Sequence, residues 1–136
     1  MNFRQIALTY AVSLFVFLAL DFAWLGVVAR GFYRVQMGPL MREDVQWLPA
    51  LIFYGLFVAA ILVFVVLPAA ERGSLLRAVV LGAFFGLVTY ATYDLTNLAV
   101  LRGFRTQMAL VDMAWGTVLC TAVSVAGYAV ASRFTG

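Results

Sequence analysis

The chain predicts an all-α membrane protein, a bundle of four transmembrane helices. Three observations predict it. Hydrophobic residues make up 65% of the sequence and charged ones only 11%, whereas a soluble domain runs nearer half apolar and a quarter charged. That excess is more than a core of this size could bury, so lipid is the expected solvent. Four windows, about 6–28, 48–69, 75–101 and 110–133, each reach the roughly 20 apolar residues that a bilayer requires. Together they fill residues 1–136 as one transmembrane domain and leave no room for a soluble one.

The first window opens like a signal peptide, with Arg4, an apolar run and then Val27-Val28-Ala29. The run is too long for an h-region, and Asp21 and Trp24 have no use in a discarded segment. Thr9, Ser13, Phe17 and Asp21 recur at steps of four, which puts them on one helix face. That face is expected to turn away from lipid. Residues 29–47 read as the longest loop, rich in charge at Arg30, Arg34, Arg42, Glu43 and Asp44, with a turn at Gly38-Pro39. Tyr33 and Trp47 are expected in the aromatic belt at the membrane surface.

The second helix follows Pro49, which a first turn tolerates because its missing N–H would be unpaired anyway. Val58–Leu67 is almost wholly aliphatic and reads as the most lipid-facing stretch. Pro68 is expected to end the helix, and Glu71-Arg72-Gly73-Ser74 to form a short polar turn. The third helix carries Ala78, Gly82, Gly86, Tyr90, Asp94 and Leu98 at steps of four. Gly82 and Gly86 form a small-xxx-small pair that lets a neighbouring backbone approach. The fourth helix mirrors it with Asp112, Gly116, Cys120 and Ser124. These two rows are predicted to pack together.

A short internal repeat is also visible. Asp21 aligns with Asp94, Arg30-Gly31-Phe32 with Arg102-Gly103-Phe104, and Gln36-Met37 with Gln107-Met108. Tyr54-Gly55 then falls opposite Trp115-Gly116. Each unit would be two helices in the same orientation, the parallel-repeat arrangement about an axis along the membrane normal.

The rest of the composition narrows the chemistry. The net charge is +3, and every basic residue is Arg, spread over termini and loops. No basic stripe exists, so nucleic acid is not an expected partner; mild attraction to anionic headgroups is. There is no His, which removes the commonest general base and metal ligand and any His-ligated haem. The single cysteine, Cys120, has no internal disulfide partner and reads as a small buried apolar residue. A Gly-rich phosphate loop, a His-Glu-x-x-His run and a nucleophile elbow are all missing. Ser13, Ser74 and Ser124 have no His to activate them. No cofactor or metal is expected. Asp94-Leu95-Thr96-Asn97 offers two oxygen ligands at helical spacing, a hint of Mg²⁺ and no more.

What stands out is a set of acids inside apolar spans. At 1.5 Å per residue, Asp21, Asp94 and Asp112 each lie about 10–14 Å below the surface marked by Arg30, Arg102 and Arg105. Tyr54, Trp24, Asn97 and Trp115 reach the same layer within about a turn. An ionised carboxylate there costs roughly 2.5–3.5 kcal/mol on insertion scales. Each acid must be protonated, hydrogen-bonded, reached by water or paired with a cation, and arginines 30, 34, 102 and 105 are placed to reach down. Asp21, Asp94, Asn97 and Asp112 are therefore the expected ligand- or proton-binding residues. Trp24, Tyr54, Tyr90, Tyr93 and Trp115 are the expected pocket lining, and Gly82, Gly86 and Gly116 the packing positions.

Leu20-Asp21-Phe22-Ala23-Trp24-Leu25, Tyr93-Asp94-Leu95-Thr96-Asn97-Leu98 and Asp112-Met113-Ala114-Trp115-Gly116-Thr117 together resemble a bacterial family of predicted membrane proteins, domain of unknown function 2177. The resemblance covers nearly the whole chain. It implies a four-helix protein of the bacterial inner membrane and carries over no catalytic residue.

Three functions fit these readings. The first is an intramembrane carboxylate site that binds protons, a cation or a small amphiphile, related to transport. Four helices rarely enclose a full pathway, so a homo-oligomer or other membrane subunits would complete it. The second is a membrane enzyme or accessory factor acting on a lipid or isoprenoid, with Asp94 and Asn97 as acid/base groups or metal ligands. The third is a structural subunit docking other helices on its glycine rows. Orientation stays open, because arginines divide four against five between the two sides.

Overall fold

The structure, a computed structural model, describes residues 1–135; Gly136, the end of the expected domain, lies outside them. The described residues form helices joined by short turns, without strands. We label the helices α1 (Phe3–Val28), α2 (Arg30–Met37), α3 (Trp47–Glu71), α4 (Leu75–Val100) and α5 (Thr106–Thr135). All but α2 are long and apolar enough to cross a membrane.

Helix α1 starts earlier than apolar composition indicates because a capping box holds its first turn. Gln5 N–H donates to Asn2 Oδ1 at 2.9 Å, and Asn2 N–H donates to Gln5 Oε1 at 3.1 Å. The buried residues of its regular part are Thr9, Ser13, Phe17 and Asp21, the row read from the four-residue spacing. The helix closes in a π turn, Trp24–Val28, with Ala29 N–H donating to the Trp24 carbonyl at 2.7 Å.

The stretch read as the longest loop contains a helix. Tyr33 of α2 and Ala29 just before it are buried against Phe104, Met108 and Ala109. The charges of Arg30 and Arg34 hid the pattern: residues 29, 33 and 36–37 share one helical face. Tyr33 is consequently turned inward, at 6% exposure, and does not join the surface aromatic belt. Trp47 does stay exposed, edge-on to Phe22.

Two expectations for α3 are corrected. Val58–Leu67 is not the most lipid-facing stretch: Val58, Ile61, Leu62, Val65 and Val66 are buried, and only Val63 and Phe64 face outward strongly. Lipid tails are as apolar as Leu, so aliphatic composition cannot separate a lipid face from a core face. Nor does Pro68 end the helix, which runs on to Glu71. A proline ring clashes with the carbonyl four residues back. The π turn Leu62–Val66 absorbs this, with Leu67 N–H donating five residues back to Leu62.

The α3–α4 turn is set by one glycine. Gly73 has φ +60°; its N–H donates to the Ala70 carbonyl at 3.1 Å, and Ser74 N–H donates to Ala69 at 3.0 Å. These are the two bonds of a Schellman motif. Ser74 then caps α4 by accepting from Arg77 N–H at 3.1 Å.

Helices α4 and α5 form the largest interface of the bundle. A Cβ on Gly82 would stand 2.6 Å from Ser124 Oγ. One on Gly86 would stand 2.8 Å from Cys120 Cβ and meet the Gly116 carbonyl, and one on Gly116 would strike the Tyr90 ring. The facing pairs 82/124, 86/120 and 90/116 step in antiparallel register, so the two small-residue rows do meet. Helix α1 lies on the other side of α5, with Ser13 against Gly127. Helix α3 touches α4 chiefly through Leu62–Glu71, and its Trp47–Ile61 half diverges from α4.

Candidate functional site

The antiparallel register of α4 and α5 carries on from 90/116 to bring Asp94 opposite Asp112. Asp94 is wholly buried, and its carboxyl lies beside that of Asp112. No donor group reaches either Asp94 oxygen. The contact is acceptor against acceptor unless one of the pair carries a proton.

Around this pair, α1, α2 and α5 are tied by a chain of side-chain bonds. Trp115 Nε1–H donates to Asp21 Oδ1 at 3.1 Å. Trp24 stacks on Trp115, ring centroids 4.5 Å apart and 6° from parallel. Trp24 Nε1–H donates to the Tyr33 hydroxyl at 3.1 Å, and that hydroxyl donates to Asp112 Oδ1 at 2.8 Å. The two Asp-x-x-Trp segments, at 21–24 and 112–115, thus serve each other. Each indole reaches towards the acid of the opposite helix, one directly and one through Tyr33. Burial pushes the Tyr33 phenol above its ordinary range, while the Trp24 bond pulls the other way. The phenol therefore keeps its proton and can donate to Asp112.

The apolar side of the site is a cleft of about 420 Å³, bounded by Phe53 and Phe57 of α3 and Tyr90, Thr92 and Tyr93 of α4. Asp112 is the carboxyl in its wall. Tyr90 and Tyr93 lie in its wall. Trp24 and Trp115 are instead held in the bonded chain, and Tyr54 packs on Phe17 and Phe22. Asn97 lies near Tyr93, one turn earlier on the same helix.

A family model described as Predicted membrane protein (DUF2177) matches residues 6–129. The chain belongs to that family. No curated protein and no solved structure matches it. The description agrees with the four apolar spans of this DUF2177 chain.

One expectation about the DUF2177 site is corrected by position. Arg30, Arg34, Arg102 and Arg105 are exposed, and the charged neighbours of Asp21 and Asp94 are carboxyls, not guanidiniums. A guanidinium would lose water by reaching inward, and Asp21 and Asp112 already accept from Trp115 and Tyr33. Among the described residues no three His, Cys, Asp or Glu side chains are grouped to hold a metal ion. The aligned segments of the internal repeat differ locally: Arg30-Gly31-Phe32 begins α2, whereas Arg102-Gly103-Phe104 is a turn. Gln36 and Gln107, matched in that alignment, hydrogen-bond at 3.2 Å.

Sequence reasoning placed the acids and missed Tyr33. The signal was present in the spacing of Ala29, Tyr33 and Met37, but eight residues flanked by charge were read as loop.

Proposed function

We propose that this DUF2177 chain is a multi-pass protein of the bacterial inner membrane whose single four-helix domain binds a proton between Asp94 and Asp112 and couples it to a small cationic or amphiphilic ligand. Asp94 carries the reading: a fully buried carboxyl, without a donor, against a second carboxyl. Two unit charges at 4 Å repel by about 4 kcal/mol even at an effective dielectric of 20. A shared proton turns that repulsion into a short, charge-assisted hydrogen bond. Asp21 is the third carboxyl, fixed by Trp115, and Asn97 stands at the outer edge beside Tyr93. The working unit is a homo-oligomer or a complex with other membrane subunits, since four helices enclose little.

A purely structural role is less well supported. Interhelical glue supplies a donor for each acceptor, and Asp94 has none. The cleft reaching Asp112 favours one second reading, a membrane enzyme or accessory factor in lipid or isoprenoid metabolism.

Difference infrared spectroscopy tests the shared proton. The purified protein at neutral pH is expected to show a protonated-carboxyl band that disappears in both Asp94→Asn and Asp112→Asn and persists in Asp21→Asn. Absence of the band in the wild-type protein overturns the reading. In cells, Asp94→Asn is expected to abolish a proton-coupled flux; an altered lipid profile with fluxes intact would favour the second reading.

A further inference from the structure

We infer that the acid site takes a long-chain cationic amphiphile, with an amine head at Asp112 and a tail along the α3–α4 seam. This rests on the carboxylate site proposed above and names its ligand class. The first observation is the shape of the seam. Beyond the cleft at Asp112, a second cavity of about 380 Å³ follows between the same two helices, bounded by Phe64, Leu81, Phe85 and Val88. The Phe85 ring stands between the two, with centroids 5.5 Å from Phe57 and 6.4 Å from Phe64. From Tyr93 to Leu81 the two cavities together span about 18 Å of α4 at 1.5 Å per residue. That is close to one leaflet of a hydrocarbon core about 30 Å thick.

The second observation is access. Phe53, Tyr93 and Phe64 on this seam are 46%, 49% and 64% exposed. The surface they expose faces hydrocarbon in a membrane, so a ligand reaches the cleft sideways from lipid. The divergence of α3 from α4 over Trp47–Ile61 makes that opening.

The third is charge. The head end of the groove meets Asp112, with the donor-free Asp94 in contact behind it. Carboxyls, not arginines, are the charged neighbours of Asp94. An anionic head is repelled there. An ammonium brings a positive charge, which the pair lacks, and three N–H donors. The rings of Tyr90 and Tyr93, which line the same cleft, add cation–π attraction.

Calorimetric titration of the purified protein in uncharged detergent tests this, with dodecylamine, dodecanol and butylamine as probes. Dodecylamine is expected to bind about ten-fold or more tighter than dodecanol, and Asp112→Asn to remove that preference. Thr92→Trp, at an exposed position of the Asp112 cleft, is expected to weaken dodecylamine and butylamine alike, by about ten-fold. Val88→Trp, farther along the seam and also exposed, is expected to weaken dodecylamine about ten-fold and leave butylamine unchanged. Equal binding of dodecanol, or dodecylamine binding untouched by both tryptophans, overturns the inference. The infrared band fails or survives independently: its loss with amine binding intact overturns the shared proton alone, and its presence without head preference overturns this inference alone.

Discussion

The two ends of the bundle answer the demands of a membrane in opposite ways. Near the Gly73 turn, α3, α4 and α5 close on one another through Val65, Val66, Ala69, Ala78, Gly82 and Ser124. Small side chains let backbones approach there, and dispersion holds the helices together. At the other end α3 diverges, and bulky polar groups fill the space: Asp21, Trp24, Tyr33, Asp94, Asp112 and Trp115. The closed end carries stability through packing. The open end holds α1, α2 and α5 by hydrogen bonds and leaves Asp94 unsatisfied. An unsatisfied buried acceptor costs about 1–3 kcal/mol, and such costs concentrate where function requires them.

Three substitutions would break or sharpen that contrast. The largest effect is expected from Gly86→Leu, which drives a side chain into the Gly116 carbonyl and Cys120. Backbone cannot move aside cheaply, so a loss of about 3 kcal/mol or more is expected, read as a lower unfolding temperature in detergent. A neutral result would show that the α4–α5 seam is loose. Next comes Tyr33→Phe, which strips a donor from Asp112 and an acceptor from Trp24. It is expected to cost about 1–3 kcal/mol and to loosen α2, measurable as faster amide exchange over Arg30–Met37. Because burial raises the Tyr33 phenol, this contribution is fully present below the ordinary tyrosine range and fades as pH rises beyond it.

The smallest effect has the opposite sign. Asp94→Asn offers Asp112 a permanent N–H donor in place of a proton that must be taken up from solution, so unfolding at neutral pH is expected to become about 1 kcal/mol harder. Stabilisation together with lost activity marks a site that trades stability for function. Destabilisation by Asp94→Asn would mean that the acid serves packing, and the contrast between the two ends would fall.

Much of this was visible in the order of residues. The four spans follow from apolar length, and the buried faces of α1, α4 and α5 follow from rows at four-residue steps, since a helix stacks i and i+4 on one side. The same steps, counted from surface arginines, set Asp21, Asp94 and Asp112 at similar depth. Other features were hidden for definite reasons. Val58–Leu67 looks uniformly greasy, and a core face and a lipid face of such a helix have the same composition. Pro68 is a helix breaker on average, and only the π turn before it lets α3 continue. Arg30 and Arg34 mask the buried face of α2.

Composition and spacing therefore established that this is a four-span membrane chain with acids on inward faces. Each of those signals is local, repeating within a turn or two of one helix. Which acid meets which partner was settled by packing: the antiparallel register that opposes Asp94 to Asp112, the fold-back of α2 that delivers Tyr33, and the divergence of α3 that opens the cleft. These depend on contacts between residues as far apart as Asp21 and Trp115, and no periodicity within one helix encodes how it lies against the next.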